Sequence, residues 1–207
     1  MTRPLGIILA GGRATRMGGG DKGLRSLGSA RILDHVIARL EPQCAALALN
    51  ANGDPARFAE FGLPVLPDSI GGYQGPLVGV LAGLDWAAQR GADTIVTAAA
   101  DTPFLPLDLV ARLTACAAPN GLCIAASPDE TGTLRRHPTF GLWPVALRDD
   151  LRAALADGLR KVSLWADRHG AGTARFSNDQ GDPFFNINRP EDIDTALRQM
   201  ADPDAAP

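Results

Sequence analysis

The 207-residue sequence predicts a single-domain α/β fold of three layers, with a mainly parallel sheet and helices on both its faces. Two observations carry that prediction. Short apolar runs recur along the chain with the length of buried strands. The stretches between them have helical spacing, and such alternation implies right-handed crossovers between parallel strands.

The elements follow in order. Leu5-Gly6-Ile7-Ile8-Leu9 reads as a short buried strand, and a glycine-rich loop follows it. Arg31 to Leu40 sets Ile32, Leu33, Val36, Ile37 and Leu40 on one helical face, with Pro42 beyond its end. Ala45–Leu49 is a second strand, closed by the polar turn Asn50-Ala51-Asn52-Gly53-Asp54-Pro55, and Leu63–Leu66 is a third, ending at Pro67-Asp68. A helix starts near Gly75-Pro76, where proline suits the first turn. Thr94–Ala100 is a strand that stops at Asp101-Thr102-Pro103, Pro106–Ala117 a helix, and Leu122–Ala126 another strand. Thr133–Trp143 reads as an extended segment, a candidate for an antiparallel strand. Asn186 and Asn188 alternate with Phe185 and Ile187, so as a strand they share one face. Arg189-Pro190-Glu191-Asp192 opens a last helix reaching about Met200. The single domain is expected over 1–201, with 202–207 a disordered tail.

Composition narrows the function classes. Hydrophobic residues make up 45% and charged residues 21%, so the chain is an ordinary globular one, large enough to bury a core without staples. The net charge of −3 leaves no global affinity for polyanions, and without a basic stripe or stacking aromatics nucleic acid is not an expected partner. No run approaches the eighteen or so apolar residues of a membrane span, and Met1-Thr2-Arg3-Pro4 leads straight into the first strand. A cytoplasmic enzyme with buried, reduced thiols at Cys44, Cys116 and Cys123 is expected. With His35, His137 and His169 these cysteines make no zinc set. Nothing in the pattern asks for an obligate assembly, so a monomer is expected.

Open parallel sheets bind ligands beyond the carboxyl ends of their strands. Polar residues gather at those ends here, in Gly11–Lys22, Asn50–Asp54, Asp68–Gly75 and Asp101–Phe104. Residues 9–24 hold six glycines, and Arg13, Arg16, Lys22 and Arg25 stand among or beside them. Glycines let a backbone approach something closely; the bases make that something an anion. A solvated surface loop is the bland alternative. The loop is no P-loop, because Lys22 lies between Asp21 and Gly23. The G-x-G-x-x-G formed by Gly18, Gly20 and Gly23 lies too far beyond the strand for a dinucleotide fingerprint, which disfavours a dehydrogenase.

From Leu9 to Lys22 the chain reads Leu9-Ala10-Gly11-Gly12, then Arg16-Met17-Gly18, then Lys22. This resembles the nucleotidyltransferase signature, roughly L-A-(G/A)-G-x-x-x-R-M-G-x-x-K. Further segments are similar to the molybdenum cofactor guanylyltransferases. They are Asp21-Lys22-Gly23-Leu24, Gly75-Pro76-Leu77-Val78-Gly79, Asp101-Thr102-Pro103-Phe104, His137-Pro138-Thr139-Phe140-Gly141-Leu142-Trp143, and Phe185-Asn186-Ile187-Asn188 before Arg189-Pro190-Glu191-Asp192. Val78, where the family more often has alanine, is a mild departure.

The resemblance implies a Rossmann-like fold of the nucleotide-diphospho-sugar transferase type. It also implies transfer of GMP from GTP to the phosphate of molybdopterin, assisted by Mg²⁺. Such chemistry needs placement and charge neutralisation more than covalent help. Backbone amides of Gly11 and Gly12, with Arg16 and Lys22, would cradle the triphosphate. Leu9, Ala10 and Gly11 would line the base pocket, and Asn50 (or Asn52) and Asp68 would meet the guanosine. Asp101 would hold Mg²⁺, helix capping being the alternative. Toward the acceptor the resemblance suggests Gly75, Pro76, Asn186 and Asn188, while Lys161 could meet the acceptor's phosphate. Gly75, Gly79 and Gly83 also fit close packing of a helix, and water-facing polar residues would explain the two asparagines.

A sister family that makes the cytosine cofactor tends to read L-A-A-G, so Gly11-Gly12 favours GTP over CTP, by no more than the roughly 1–3 kcal/mol that one methyl group supplies. A cytidylyltransferase is one alternative. A sugar-1-phosphate nucleotidyltransferase is another, though no acceptor-domain extension is visible. A non-catalytic nucleotide-binding module would not need both Lys22 and Asp101. Expected protein contacts are transient ones, with molybdopterin metal-insertion proteins or acceptor molybdoenzymes.

Overall fold

The strand Leu5–Leu9 (β1) lies inside a seven-stranded sheet, flanked in parallel by Leu47–Asn50 (β4) and Thr94–Ala99 (β6). A computed structural model describes residues 3–11, 21–71, 75–129 and 131–201. Two-residue strands at Ser26–Leu27 (β2) and Ala30–Arg31 (β3) form a separate small hairpin. The remaining strands of the main sheet are Val65–Leu66 (β5), Cys123–Pro128 (β7), Leu134–Pro144 (β8) and Gly172–Arg175 (β9). The sheet runs β5-β4-β1-β6-β8-β7-β9, and β8 alone is antiparallel to its neighbours.

Side chains alternate across these strands, and each face is covered by its own helices. Ile8, Leu49, Val96 and Ala98 face Ile32–Leu40 (α1) and Leu109–Ala115 (α3) in one core. Leu5, Ile7, Ala48 and Ile95 face Pro76–Gln89 (α2), Arg148–Ala156 (α4) and Val162–Arg168 (α5) in the other. The last helix, Pro190–Ala201 (α6), closes a smaller cluster in which Ala196 and Ile187 meet Leu27 and Ile32. Trp143 on β8 is fully buried, and its indole N–H donates to Thr97 Oγ1 at 2.8 Å, so the polar atom inside the sheet has a partner.

The predicted three-layer, mainly parallel architecture is the observed one, and the Thr133–Trp143 segment is indeed an antiparallel strand. Three expectations need correction. Residues 185–189 carry no strand: the segment is extended chain, pinned by Ile187 N–H donating to the Asp101 carbonyl at 2.9 Å. Cys44 and Cys123 are buried, and burial pushes their thiols up to about 12 and about 11, but Cys116 is exposed. The α3 helix is shorter than predicted. Residues 106–108 turn before it, so Asp108, rather than Pro106, stands at its start. No helix among the described residues is long and apolar enough to cross a membrane.

Chain order explains where a ligand would go. The chain passes from β1 outward through β4 to β5, then returns by way of α2 to β6 on the other side of β1. The strand order therefore reverses at β1, which opens a crevice at the carboxyl ends of β4, β1 and β6.

Candidate active site

That crevice is a cavity of about 640 Å³, within the range of ligand pockets. Leu9, Ala10 and Gly11 line it from the end of β1, and Asn50, Asn52 and Asp68 from the ends of β4 and β5. Lys22 and Gly23 come from the short turn at 22–24, Gly75 and Pro76 open α2, Ala99 ends β6 with Ala100 and Asp101 just beyond it, and Thr139 comes from β8. Nine of the predicted site residues thus share one cavity: Leu9, Ala10, Gly11, Lys22, Asn50, Asp68, Gly75, Pro76 and Asp101. Gly12 and Arg16 lie outside the described residues.

One end of the cavity is charged. Lys22, in the single 3₁₀ turn Lys22–Leu24, places Nζ 3.3 Å from Asp101 Oδ2 and donates to Asn188 Oδ1 at 2.6 Å. Both members of the ion pair are about one-fifth exposed, so the ammonium is held in place yet reachable from the cleft. Asn186 sits one step away, its Oδ1 accepting from Thr102 Oγ1 at 2.5 Å. Asn188 thus holds Lys22 and Asn186 the turn after β6, although Asn186 is exposed to water and neither asparagine lines the cavity. Asp101 caps no helix: it stands in the turn two residues beyond β6, and α3 begins after Asp108.

The other end is neutral apart from one carboxylate. Asp68 accepts from Asn50 Nδ2 at 3.0 Å and Asn52 Nδ2 at 2.7 Å, and its backbone N–H donates to Asn52 Oδ1 at 2.9 Å. Asn50 is buried, and its amide also donates to the Leu66 carbonyl at 3.1 Å. Both asparagines therefore serve Asp68, one from within and one from the surface.

The small residues of α2 make room for this arrangement. A Cβ on Gly79 would stand 2.2 Å from Asn50 Oδ1, and one on Gly83 2.6 Å from Ile7 Cγ1. These two glycines let the helix press on the sheet rather than on another helix. Gly75 lies outside the helix, with φ of 114°. Lys161 precedes α5 as an exposed residue and does not line the cavity. No sequence signal marks Thr139 as a site residue. It lies in the quoted 137–143 segment, but its place on the cavity depends on β8 being seated beside β6.

As for metals, no three His, Cys, Asp or Glu side chains cluster among the described residues. Asp101 offers the cavity one carboxylate at its charged end. That does not suit a closed structural metal site, but it suits a hard cation that takes its other oxygens from phosphates and water.

The MobA-like NTP transferase domain matches residues 6–171, from β1 to the residue before β9, and so includes every residue lining the cleft. The chain belongs to the MobA-like NTP transferase family. A molybdenum cofactor guanylyltransferase of Mesorhizobium japonicum is 52% identical over 202 residues, covering 94% of this chain and 95% of that protein. One of Bradyrhizobium sp. (strain ORS 278) is 52% identical over 207 residues, covering 97% and 95%. Among solved structures, molybdopterin-guanine dinucleotide biosynthesis protein A of Archaeoglobus fulgidus superposes with a TM-score of 0.67 at 20% identity, over 95% of this chain and 98% of that one. The 2-C-methyl-D-erythritol 4-phosphate cytidylyltransferase of Thermus thermophilus superposes at 0.70 with 18% identity, over 98% and 100%. As a MobA-like NTP transferase the chain is a nucleotidyltransferase enzyme. The two solved structures show its fold, and the cleft at the switch point is where that fold receives a ligand.

Proposed function

We propose that this chain, as one domain over 1–201, transfers GMP from GTP to the phosphate of molybdopterin, yielding molybdopterin guanine dinucleotide and pyrophosphate. The observation that carries this reading is the polarity of the cleft: a lysine–aspartate pair at one end and a clamped carboxylate at the other, in a chain about half identical to guanylyltransferases over nearly its full length. The guanosine would lie toward Asn50 and Asp68, whose amide and carboxylate groups suit the polar edge of guanine. The triphosphate would run past Gly11 and Gly12 toward Lys22 and Arg16. An oxygen of the acceptor phosphate then attacks the α-phosphorus; a new P–O bond forms as the α–β bridging bond breaks, and pyrophosphate departs.

Lys22 neutralises charge that builds on the phosphoryl oxygens, and because Asp101 and Asn188 hold it beforehand little reorganisation is needed during the reaction. Asp101 would hold Mg²⁺. Its carboxylate would keep the ion at the Lys22 end of the cleft, where the chemistry supplied would be charge neutralisation for the phosphates and the departing pyrophosphate. The acceptor would lie toward Asn188, already on Lys22, and Asn186, at the same end as Asp101. Gly75 and Pro76 lie across the opening, where the α2 N-terminus favours negative charge. The protein would work in the cytoplasm as a monomer, meeting metal-insertion proteins or acceptor molybdoenzymes only transiently.

The test is a competition. Purified protein, Mg²⁺ and metal-loaded molybdopterin meet equal GTP and CTP, and the nucleotide-linked pterin is identified by mass. Guanylylated product is expected. Cytidylylated product would keep the chemistry and overturn the base, and neither product, with a competent acceptor verified, would overturn the acceptor.

Gly79→Ala probes the nucleoside end separately. Alanine favours the helix by about 1 kcal/mol, but the new methyl group would overlap Asn50, and overpacking of this kind costs about 1–3 kcal/mol. Stability by denaturant titration should fall modestly. The KM for GTP should rise by about tenfold, as a displaced Asn50 no longer fixes Asp68. An unchanged KM would remove Asn50 from the nucleoside end.

A further inference from the structure

Outside the cavity lining stands an arginine with no place in the reading above. Arg57 belongs to the 3₁₀ stretch Pro55–Phe61, in the connection from β4 to β5. All three of its guanidinium nitrogens are engaged. Nε donates to Asp21 Oδ2 at 2.5 Å, Nη2 donates to the Asn52 carbonyl at 2.6 Å, and Nη1 donates to the Asp54 carbonyl. Gly53, with φ of 84°, lets residues 52–54 curl around the guanidinium so that both carbonyls point at it. The Phe58 ring supports the guanidinium, 4.5 Å from its central carbon.

The partners are what matter. Asp21 directly precedes Lys22, and its carbonyl accepts from Leu24 N–H at 3.2 Å, within the turn that carries the lysine. Asn52 is the residue whose side chain clamps Asp68. One side chain therefore joins the backbone holding the nucleoside-end clamp to the residue before the phosphate-end lysine. Both charges are only about one-quarter exposed or less, so water screens the pair less than it would on an open surface. An arginine placed merely for solubility would not spend its whole fork on two separate segments of the chain.

We propose that Arg57 is a positioning residue that couples the two ends of the cleft, fixing Lys22 relative to the Asn52–Asp68 clamp so that one nucleotide engages both. This rests on the cleft being a GTP site. A ligand that spans both ends gains from their fixed separation, because it does not have to order two independent loops as it binds. A ligand that touches one end gains nothing from it.

The experiment is calorimetric binding of GTP, guanosine and inorganic pyrophosphate to the wild-type protein and to Arg57→Gln, Asp21→Asn and the double variant. GTP binding by the wild type tests the underlying reading on its own, and its failure would be a failure of that reading. Given such binding, each single variant is expected to weaken GTP by about tenfold while guanosine and pyrophosphate stay within about twofold, and the double variant should bind GTP like either single one. Arg57→Lys, which keeps the charge but can reach fewer partners, should recover part of the GTP affinity. Unchanged GTP affinity in the variants would overturn the coupling, and so would equal losses for all three ligands, which would mean a general structural role. Should Arg57→Gln fail to fold, Asp21→Asn decides alone, because it takes the charge out of the link while leaving Arg57 its two carbonyls.

Discussion

Replacing Lys22 with alanine is expected to lower turnover by about 10²- to 10³-fold, the range found when a preplaced donor to developing charge is removed. The structure explains why the loss should fall on kcat rather than on folding. The lysine side chain reaches into the cleft from a short turn, and its partners are Asp101 and Asn188 at the cleft wall. Its removal leaves Asp101 without a counter-ion in a partly exposed position, where an ion pair contributes only about 0–1 kcal/mol. Thermal unfolding should therefore shift by no more than a few degrees. A turnover defect with an intact fold fits a lysine that neutralises phosphoryl charge. Near-normal turnover from the folded variant would assign that work elsewhere.

How much of this could be read beforehand depends on the range of the interactions involved. The strands β1, β4 and β6 were legible because both of their faces are covered, which makes them short continuous apolar runs. The α1 helix was legible from its periodic apolar face, with Ile32, Leu33, Val36 and Leu40 buried. The α4 helix was not, since only Leu151 and Leu155 are buried on a mostly polar segment. β9, Gly-Thr-Ala-Arg, carries almost no strand signature. It exists because Gly172 lets the chain pass against the Cys116 carbonyl, where a Cβ would stand 2.0 Å away. The site shows the same division. Gly11, Lys22, Asn50, Asp68, Gly75 and Asp101 lie in loops that strand ends alone locate, and they share the cavity; Leu9, Ala10 and Pro76 follow only from the family resemblance. The asparagine clamp on Asp68 and the arginine joining it to Asp21 depend on side chains from separate elements meeting in space. No local pattern announces those meetings: Arg57 in sequence is one basic residue in a polar turn.

Asp101→Asn should have an effect at least as large as that at Lys22, and of a different kind. The change is nearly isosteric, and the backbone carbonyl of residue 101 still accepts from Ile187, so the fold should be kept. What disappears is the negative charge beside Lys22 in the cleft. If that carboxylate holds Mg²⁺, turnover at ordinary metal concentration should fall by about three orders of magnitude, the equivalent of about 4 kcal/mol. The Mg²⁺ concentration for half-maximal rate should rise by more than tenfold. The ion pair adds a second expectation, opposite in sign. In the wild-type cleft Asp101 partly neutralises Lys22 and repels a triphosphate. Without the carboxylate, Lys22 faces the phosphates uncompensated, and GTP measured in the presence of a chelator should bind several-fold more tightly than to the wild type. Weaker turnover together with tighter metal-free binding is hard to obtain from general damage to the site, which would weaken both. Unchanged metal dependence would reduce Asp101 to an anchor for Lys22, and unchanged metal-free affinity would mean that the pair does not oppose the nucleotide at all.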